Sequence, residues 1–147
     1  MSSHTSDTNA EIRSLLRSKG LRVTSVRMAV LGVLRKMEQP MSHEQVMGSL
    51  PEGHFDKASV WRILSDLTES TLLRRMDLGD RVWRFEFVGA DESSEANHAH
   101  FLCNDCGDVS CLPDLIIRTP SGNLPHALKA ARFNIRLDGV CGNCVTG

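Results

Sequence analysis

Four cysteines in two Cys-x-x-Cys pairs constrain this 147-residue chain more than any other feature. The pairs are Cys103/Cys106 and Cys141/Cys144, with 34 residues between them. Each pair brings two thiolates together at a tight turn, and four soft sulfur ligands select zinc over harder cations. Because sulfur fills all four positions, the spacing predicts a structural Zn²⁺ site rather than a catalytic one. The alternatives are two disulfides or a pair of redox dithiols, which suit an oxidising compartment that nothing in the sequence indicates.

The composition excludes some classes of protein and leaves others open. No apolar run is long enough to span a membrane, and the polar residues 1–10 are typical of a disordered tail rather than a signal peptide. We therefore expect a cytoplasmic protein with no membrane partner. Residues 1–87 hold 13 Lys and Arg against 11 Asp and Glu, and residues 88–147 hold 4 against 7. This difference is too small to establish nucleic-acid binding on its own.

Residues 11–87 are predicted to form four helices followed by a two-stranded ribbon, which is the arrangement of a winged helix. The residues that mark helix starts and ends are Gly20, Thr24, Pro40, Ser42 with Gln45, Asp56 and Glu69. Residues 72–76 and 81–87 are typical of strands around the turn sequence DLGD.

A second, smaller domain is predicted after a hinge at residues 88–97, where the sequence is acidic and has no periodicity. Residues 98–147 contain three strand-like runs, at 98–103, 109–112 and 133–137, and one short helical run at 124–131. About fifty residues bury little surface alone, so such a domain needs a metal or a partner subunit to be stable. The predicted fold class is therefore α+β, with a winged-helix domain followed by a small α/β domain.

The exposed face of the fourth helix carries Ser59, Trp61 and Arg62. The second long helix of a helix-turn-helix places this face in the DNA major groove, where arginine pairs with guanine and an aromatic ring packs on a thymine methyl. The basic residues available to hold phosphates are Arg22, Arg27, Lys57, Arg74, Arg75 and Arg81. The alternative is that Trp61 belongs to the core and that the arginines are merely solvated.

A second group of potential metal ligands combines Glu86, His98, His100 and Cys111. His98 and His100 are two residues apart on a predicted strand, so their rings should point to one side. A His-x-His beside a zinc-binding cysteine pair favours a second metal site. The alternatives are that Cys111 is a small buried hydrophobic residue and that Glu86 is a surface residue of the wing.

Four stretches of the chain resemble the ferric uptake regulator family of metal-responsive repressors. They are GLRVT at 20–24 leading to Arg27, ASVWRIL at 58–64, HAHFLCNDCGDV at 98–109 and GVCGNC at 139–144. The resemblance implies a homodimer with an N-terminal winged-helix domain for a double-stranded DNA operator. It also implies a C-terminal dimerisation domain with structural zinc, and a regulatory metal at the hinge.

The resemblance assigns roles to individual residues. Arg22 matches a minor-groove contact, and the recognition-helix contacts are Ser59, Trp61 and Arg62, with Trp61 standing where a tyrosine is usual. The residues that match the regulatory ligands are Glu86, His98, His100 and Cys111.

Two departures from the family pattern bear on the metal. Cys111 stands where a carboxylate is usual, and exchanging hard oxygen for soft sulfur favours Zn²⁺ over Fe²⁺. The histidine that the family often supplies before the third helix is absent, and His43 is the preferred substitute, with His54 as the alternative.

The sequence therefore predicts a metal-dependent transcriptional repressor that binds an inverted-repeat operator, most simply a zinc sensor controlling metal uptake genes. A regulator of the same family that senses ferrous iron or peroxide is the first alternative, and a thiol redox switch is the second. A zinc enzyme with Glu86 as general base is not favoured, because the sequence shows no nucleophile, phosphate loop or paired acids.

Overall fold

The computed structural model describes residues 3–53, 55–89, 99–115, 126 and 135–147, and for residues 3–7 only the backbone. The elements in chain order are α1 (Ser3–Ser18), α2 (Ser25–Lys36), β1 (Met41–Ser42), α3 (His43–Ser49), α4 (Lys57–Glu69), β2 (Leu73–Asp77), β3 (Trp83–Phe87), β4 (Ala99–Cys103), β5 (Val109–Leu112), β6 (Ile135–Gly139) and α5 (Gly142–Thr146). The chain divides into two compact units, Met1–Glu92 and Ser93–Gly147, and the division falls within the predicted hinge.

The helices of the N-terminal unit begin at the residues that the capping signals predict. The Thr24 hydroxyl accepts from the Arg27 backbone N–H at 3.2 Å, which satisfies a donor that the first turn of α2 leaves open. Ser42 and Gln45 cap α3 reciprocally, each side chain accepting from the other residue's backbone N–H. These bonds set where each helix starts.

The core of this unit lies between the helices and a three-stranded sheet. Its fully buried side chains are Leu16, Val30, Leu31, Val46, Val60, Leu64, Leu67 and Leu72. The strand order is β1-β3-β2, all antiparallel, with Met76 opposite Arg84 in the β2–β3 ribbon. Helices followed by this ribbon form the predicted winged helix. The two-residue strand β1, in which Met41 pairs with Phe85, is too short to produce a periodic pattern and was not predicted.

The start of the first helix differs from the prediction. Helix α1 begins at Ser3, so residues 3–10 are helical rather than a disordered tail. The sequence of the first turns of α1 is polar, and the residues that contact the core, Ile12, Leu15 and Leu16, lie further along, so no apolar periodicity marks that start.

The loop of the wing is longer than the predicted turn, because β3 starts at Trp83 instead of Arg81. The carboxylates of Asp77 and Asp80 accept from the backbone N–H groups of Gly79 and Val82, two residues on. These local bonds stabilise a five-residue loop at 78–82 in place of the predicted four-residue connection at 77–80.

The C-terminal unit contains a sheet of order β5-β4-β6, with β5 antiparallel and β6 parallel to the central β4. Its buried residues include Ala99, Leu102 and Val109. The strand predicted at 133–137 corresponds to β6, of which the described part is Ile135–Gly139, and the predicted helix at 124–131 lies outside the described residues except for residue 126. Across the described residues, no helix has the length and apolar character needed to cross a bilayer.

Replacing the α3 cap by Ser42→Ala is expected to destabilise the N-terminal unit by about 1 kcal/mol, because the Gln45 backbone N–H loses its acceptor. Both tryptophans lie in this unit, so the urea midpoint of tryptophan fluorescence reports its unfolding. Ser49→Ala, at the exposed end of the same helix, is the control and should leave the midpoint unchanged. Equal midpoints for the two variants would contradict the capping role.

Candidate metal centres and DNA-binding face

The four paired cysteines converge in the C-terminal unit. Cys103 ends β4, Cys106 follows it in a turn, and Cys141 and Cys144 lie at the start of and within α5. The turn after Cys103 closes with the Gly107 N–H donating to the Cys103 carbonyl at 3.0 Å, and Gly107 has a φ of +76°, which glycine adopts without strain. The Asn104 N–H donates to the Gly139 carbonyl at 2.7 Å and holds the two cysteine turns side by side.

The sulfur spacing fits one tetrahedral metal ion. Cys103 Sγ lies 3.9 Å from Cys144 Sγ, and Cys106 Sγ lies 3.8 Å from Cys141 Sγ. A tetrahedron with zinc–sulfur bonds of about 2.3 Å has edges of about 3.8 Å. All five cysteines are free, and the Sγ–Sγ distances of 3.8 and 3.9 Å far exceed a disulfide bond length of about 2 Å. The two disulfides considered from the sequence are therefore not formed.

The pKa values of the thiols in this group also favour binding of a cation. The backbone N–H groups of Cys106 and Cys141 donate to Cys103 and lower the pKa of its thiol to about 6. The neighbouring thiols of Cys141 and Cys106 raise the pKa of Cys144 well above its usual value. One thiolate is thus available near neutral pH, whereas ionising the whole group requires a nearby positive charge. Metal binding therefore displaces protons, and the affinity falls as the pH falls.

Two of the predicted regulatory ligands, His100 and Cys111, lie directly opposite each other on β4 and β5 of the C-terminal unit. The nearest ligand atoms of the two side chains are within 4.8 Å. His100 is only 4% exposed and Cys111 is half-buried. A β-ladder fixes such a pair, because residues directly opposite in antiparallel strands keep their Cβ atoms about 5 Å apart.

The other predicted ligands are placed differently. His98 lies outside the described residues. Glu86 lies on β3 of the N-terminal unit, where its carboxylate pairs with Arg74 at 2.7 Å. The participation of both residues in a metal site stays a prediction.

His43, the weaker candidate ligand, has contacts inside the N-terminal unit. Its Nε2 lies 3.0 Å from the Lys57 carbonyl oxygen, and its ring meets Trp61 edge-on with 5.7 Å between ring centroids. The alternative residue, His54, is outside the described residues. Among the described residues, His43 belongs to no group of three or more potential metal ligands, and its weak candidacy as a ligand stays an untested prediction.

Helix α4 presents the predicted recognition residues on its solvent side. Asp56 caps the helix by accepting from both the backbone N–H and the hydroxyl of Ser59, at 2.8 and 2.6 Å. These two bonds, the hydroxyl first, lower the pKa of the Asp56 carboxyl. Arg62 is exposed, and Trp61 is 38% exposed while its inner edge packs on Phe85. Trp61 is thus neither a core residue nor a merely solvated one.

Some of the basic residues predicted to bind phosphates have contacts within the protein, and others are exposed to solvent. Arg27 joins α2 to α4 through Asp66 at 2.8 Å and also donates to the Arg22 carbonyl at 3.0 Å. Arg74 pairs with Glu86, and the Arg75 guanidinium stacks on the Trp83 ring at 4.3 Å from its centroid. The exposed side chains of the predicted phosphate-binding set are Arg22, Lys57 and Arg81, together with the exposed but stacked Arg75.

Sequence reasoning missed two features of this face. The stacking of Arg75 on Trp83 occurs at the exposed end of the wing, where Trp83 is 41% exposed. A tryptophan close to an arginine on the facing strand was the available signal. The packing of His43 against Trp61 brings together residues 18 positions apart, and no local pattern marks it.

Comparison with known proteins places the chain in one family. The profile described as Ferric uptake regulator family matches residues 18–137. The ferric uptake regulation protein of Haemophilus ducreyi is 29% identical over 140 residues, covering 90% of this chain and 91% of that protein.

Two solved structures share the fold. The Helicobacter pylori ferric uptake regulator superposes with a TM-score of 0.67 at 18% identity, covering 95% of this chain and 93% of that one. A zinc uptake regulator complexed with zinc and DNA has a TM-score of 0.59 at 19% identity, covering 97% and 95%.

These matches confirm the predicted α+β fold with a winged helix and the prediction that the chain is not an enzyme. The chain belongs to the ferric uptake regulator family, whose members are dimeric, metal-responsive, DNA-binding transcription regulators.

Proposed function

We propose that this protein is a zinc-dependent cytoplasmic repressor of metal uptake genes that binds an inverted-repeat operator as a homodimer. The observation that carries the choice of metal is the pairing of His100 with Cys111. One imidazole and one thiolate, held by adjacent strands, form a borderline-soft donor pair that suits zinc better than ferrous iron. Glu86 and His98 complete the proposed regulatory ligand set.

The proposed mechanism is a shift between arrangements of the two units. Glu86 ends the wing strand on one side of the predicted hinge, and His98, His100 and Cys111 follow on the other side. Glu86, His98, His100 and Cys111 would hold the zinc ion, and their coordinate bonds would join the two sides of the hinge in one arrangement. Such bonds shift the equilibrium between the arrangements only if they are stronger in one of them. The proposed favoured arrangement is the one in which the two DNA-binding units of a dimer fit successive major grooves.

The four-cysteine group is proposed to hold a structural zinc. Its sulfur spacing and its complete sulfur shell support that assignment, since a closed Cys₄ set leaves no position for a substrate or water. In this proposal the structural ion stabilises the C-terminal unit, and regulation belongs to the separate group that contains Cys111.

The direct test is the metal content per chain after equilibration with equal zinc and ferrous iron, without oxygen, followed by a mild chelator wash. Two zinc ions per chain support the zinc sensor. One zinc and one iron would favour the ferrous-iron alternative, and a single zinc would contradict the regulatory site.

Cys106→Ser is expected to remove the structural metal, because a hydroxyl is a poor substitute for the fourth thiolate. The C-terminal unit should then lose protection from proteolysis, since metal binding and folding are coupled in small zinc domains. Cys111→Ser is the control, which should retain the structural ion and lose only the regulatory one. Loss of both ions in Cys111→Ser would contradict the division into two sites.

Cys111→Asp is expected to move the metal preference of the regulatory site towards ferrous iron, because a hard oxygen replaces sulfur. The measurement is a competition titration with the two metals. Ser110→Asp adds the same charge at the adjacent position of β5 and should leave the preference unchanged. An unchanged preference in Cys111→Asp would show that this residue is not a ligand.

Arg62→Ala is expected to abolish sequence-specific binding at working concentrations. A bidentate arginine–guanine contact is worth about 1–3 kcal/mol, and a dimer would lose two of them. The probe is the duplex that the metal-loaded protein selects from a random library. Arg13→Ala removes an equal charge from the exposed side of α1 and is the control. Full operator protection by an Arg62→Ala protein with normal metal content would overturn the α4 assignment.

A further inference from the structure

The imidazole of His43 occupies a defined place beside the proposed recognition helix. His43 is the first residue of α3, and its half-buried ring contacts α4. The Lys57 carbonyl can only accept a hydrogen bond, so the His43 Nε2 at 3.0 Å must carry the proton that it donates. The ring orientation of His43 is therefore fixed by the backbone of α4.

The accepting carbonyl lies one helical turn before Trp61. Residues i and i+4 of a helix lie on one face, so His43 is bonded to α4 at the level of the Trp61 side chain. The His43 and Trp61 rings meet in a T-shaped contact with an interplanar angle of 73°. The indole also contacts Phe85, with 5.8 Å between ring centroids and an interplanar angle of 83°.

These contacts matter because Trp61 is partly exposed. An aromatic side chain on the open face of a helix normally exchanges between rotamers, and each rotamer would present a different edge to a DNA groove. Phe85 is 1% exposed, so its ring is held in the core and gives the indole one fixed packing contact. The His43 ring supplies a second packing contact to the indole. Together the two rings restrict the indole to one orientation before DNA is bound, which reduces the entropy lost on binding.

We propose that His43 is a positioning residue for operator recognition, and that it orients Trp61 without itself binding metal. The inference rests on the proposed role of α4. It predicts that His43 controls discrimination at the base pair that Trp61 contacts, whereas binding to unrelated DNA depends on the basic side chains and stays unchanged.

The test is a double-mutant cycle with His43→Ala and Trp61→Ala in the full-length, metal-loaded protein. The probes are the duplex selected by the wild-type protein and versions of it with single base pairs replaced. Loss of one aromatic contact in each half-site predicts an affinity decrease of about five- to hundredfold for His43→Ala. This decrease should vanish in the Trp61→Ala background, because the two residues act through one contact.

A second set of variants separates positioning from folding. His43→Phe keeps an aromatic ring beside Trp61 and should retain most of the discrimination, whereas His43→Gln keeps a donor and should not. In a Trp83→Phe background the fluorescence reports Trp61 alone, and His43→Ala should change its emission while Ser49→Ala does not.

The outcomes distinguish this inference from the proposed function. Additive effects of the two alanine substitutions, or unchanged discrimination in His43→Ala, would overturn the positioning role while leaving α4 as the reading helix. A Trp61→Ala protein with normal operator affinity and discrimination would overturn the role of Trp61 in α4 recognition as well. Loss of one metal ion per chain in His43→Ala would show that the residue is a ligand instead.

Discussion

The convergence of four sulfur atoms is the constraint on which the C-terminal unit depends. The unit has a three-stranded sheet and few buried apolar side chains among its described residues, so hydrophobic burial alone provides little stability. The cysteines lie at the ends of β4 and β6, two parallel strands that are far apart in sequence. In the proposed structural role, a metal held there would close the sheet at one end. It would thereby support the position of β4, which carries His100.

In the N-terminal unit, one helix serves both the core and the surface. Val60, Leu64 and Leu67 are completely buried on one side of α4, while Arg62 is exposed on the other. The Arg27–Asp66 ion pair joins α4 to α2, so the exposed face has a defined direction relative to the core. Such an ion pair contributes little to stability when partly exposed, and its main effect here is to specify geometry.

The sequence predicted the helices well because their starts depend on local chemistry. Thr24, Ser42 and Asp56 are good caps wherever they occur, and each caps a helix in the structure. The cysteine site was equally predictable, because its spacing expresses the chemistry of the metal. Features that depend on tertiary contacts were harder to predict from the sequence. Strand alternation places Trp83 on the same side of the sheet as Phe85. Trp83 is nevertheless 41% exposed, because it does not belong to the core cluster that contains Phe85. The contact of His43 with Trp61 likewise requires α3 and α4 to be packed before it can be recognised.

In the proposed site, the ligands that would select the metal differ from the ligand that would couple metal binding to the arrangement of the two units. His100 and Cys111 belong to one sheet, so they remain together in every arrangement of the two units. Bonds to these residues contribute equally to all arrangements, and a ligand with equal affinity for two states shifts neither. The thiolate of Cys111 can therefore determine which metal binds without determining what binding does. In the proposed mechanism, the shift depends on Glu86, because only a ligand from the other unit forms its bond in one arrangement and loses it in another. Selectivity can then change by substitution at position 111 while the coupling through position 86 is retained.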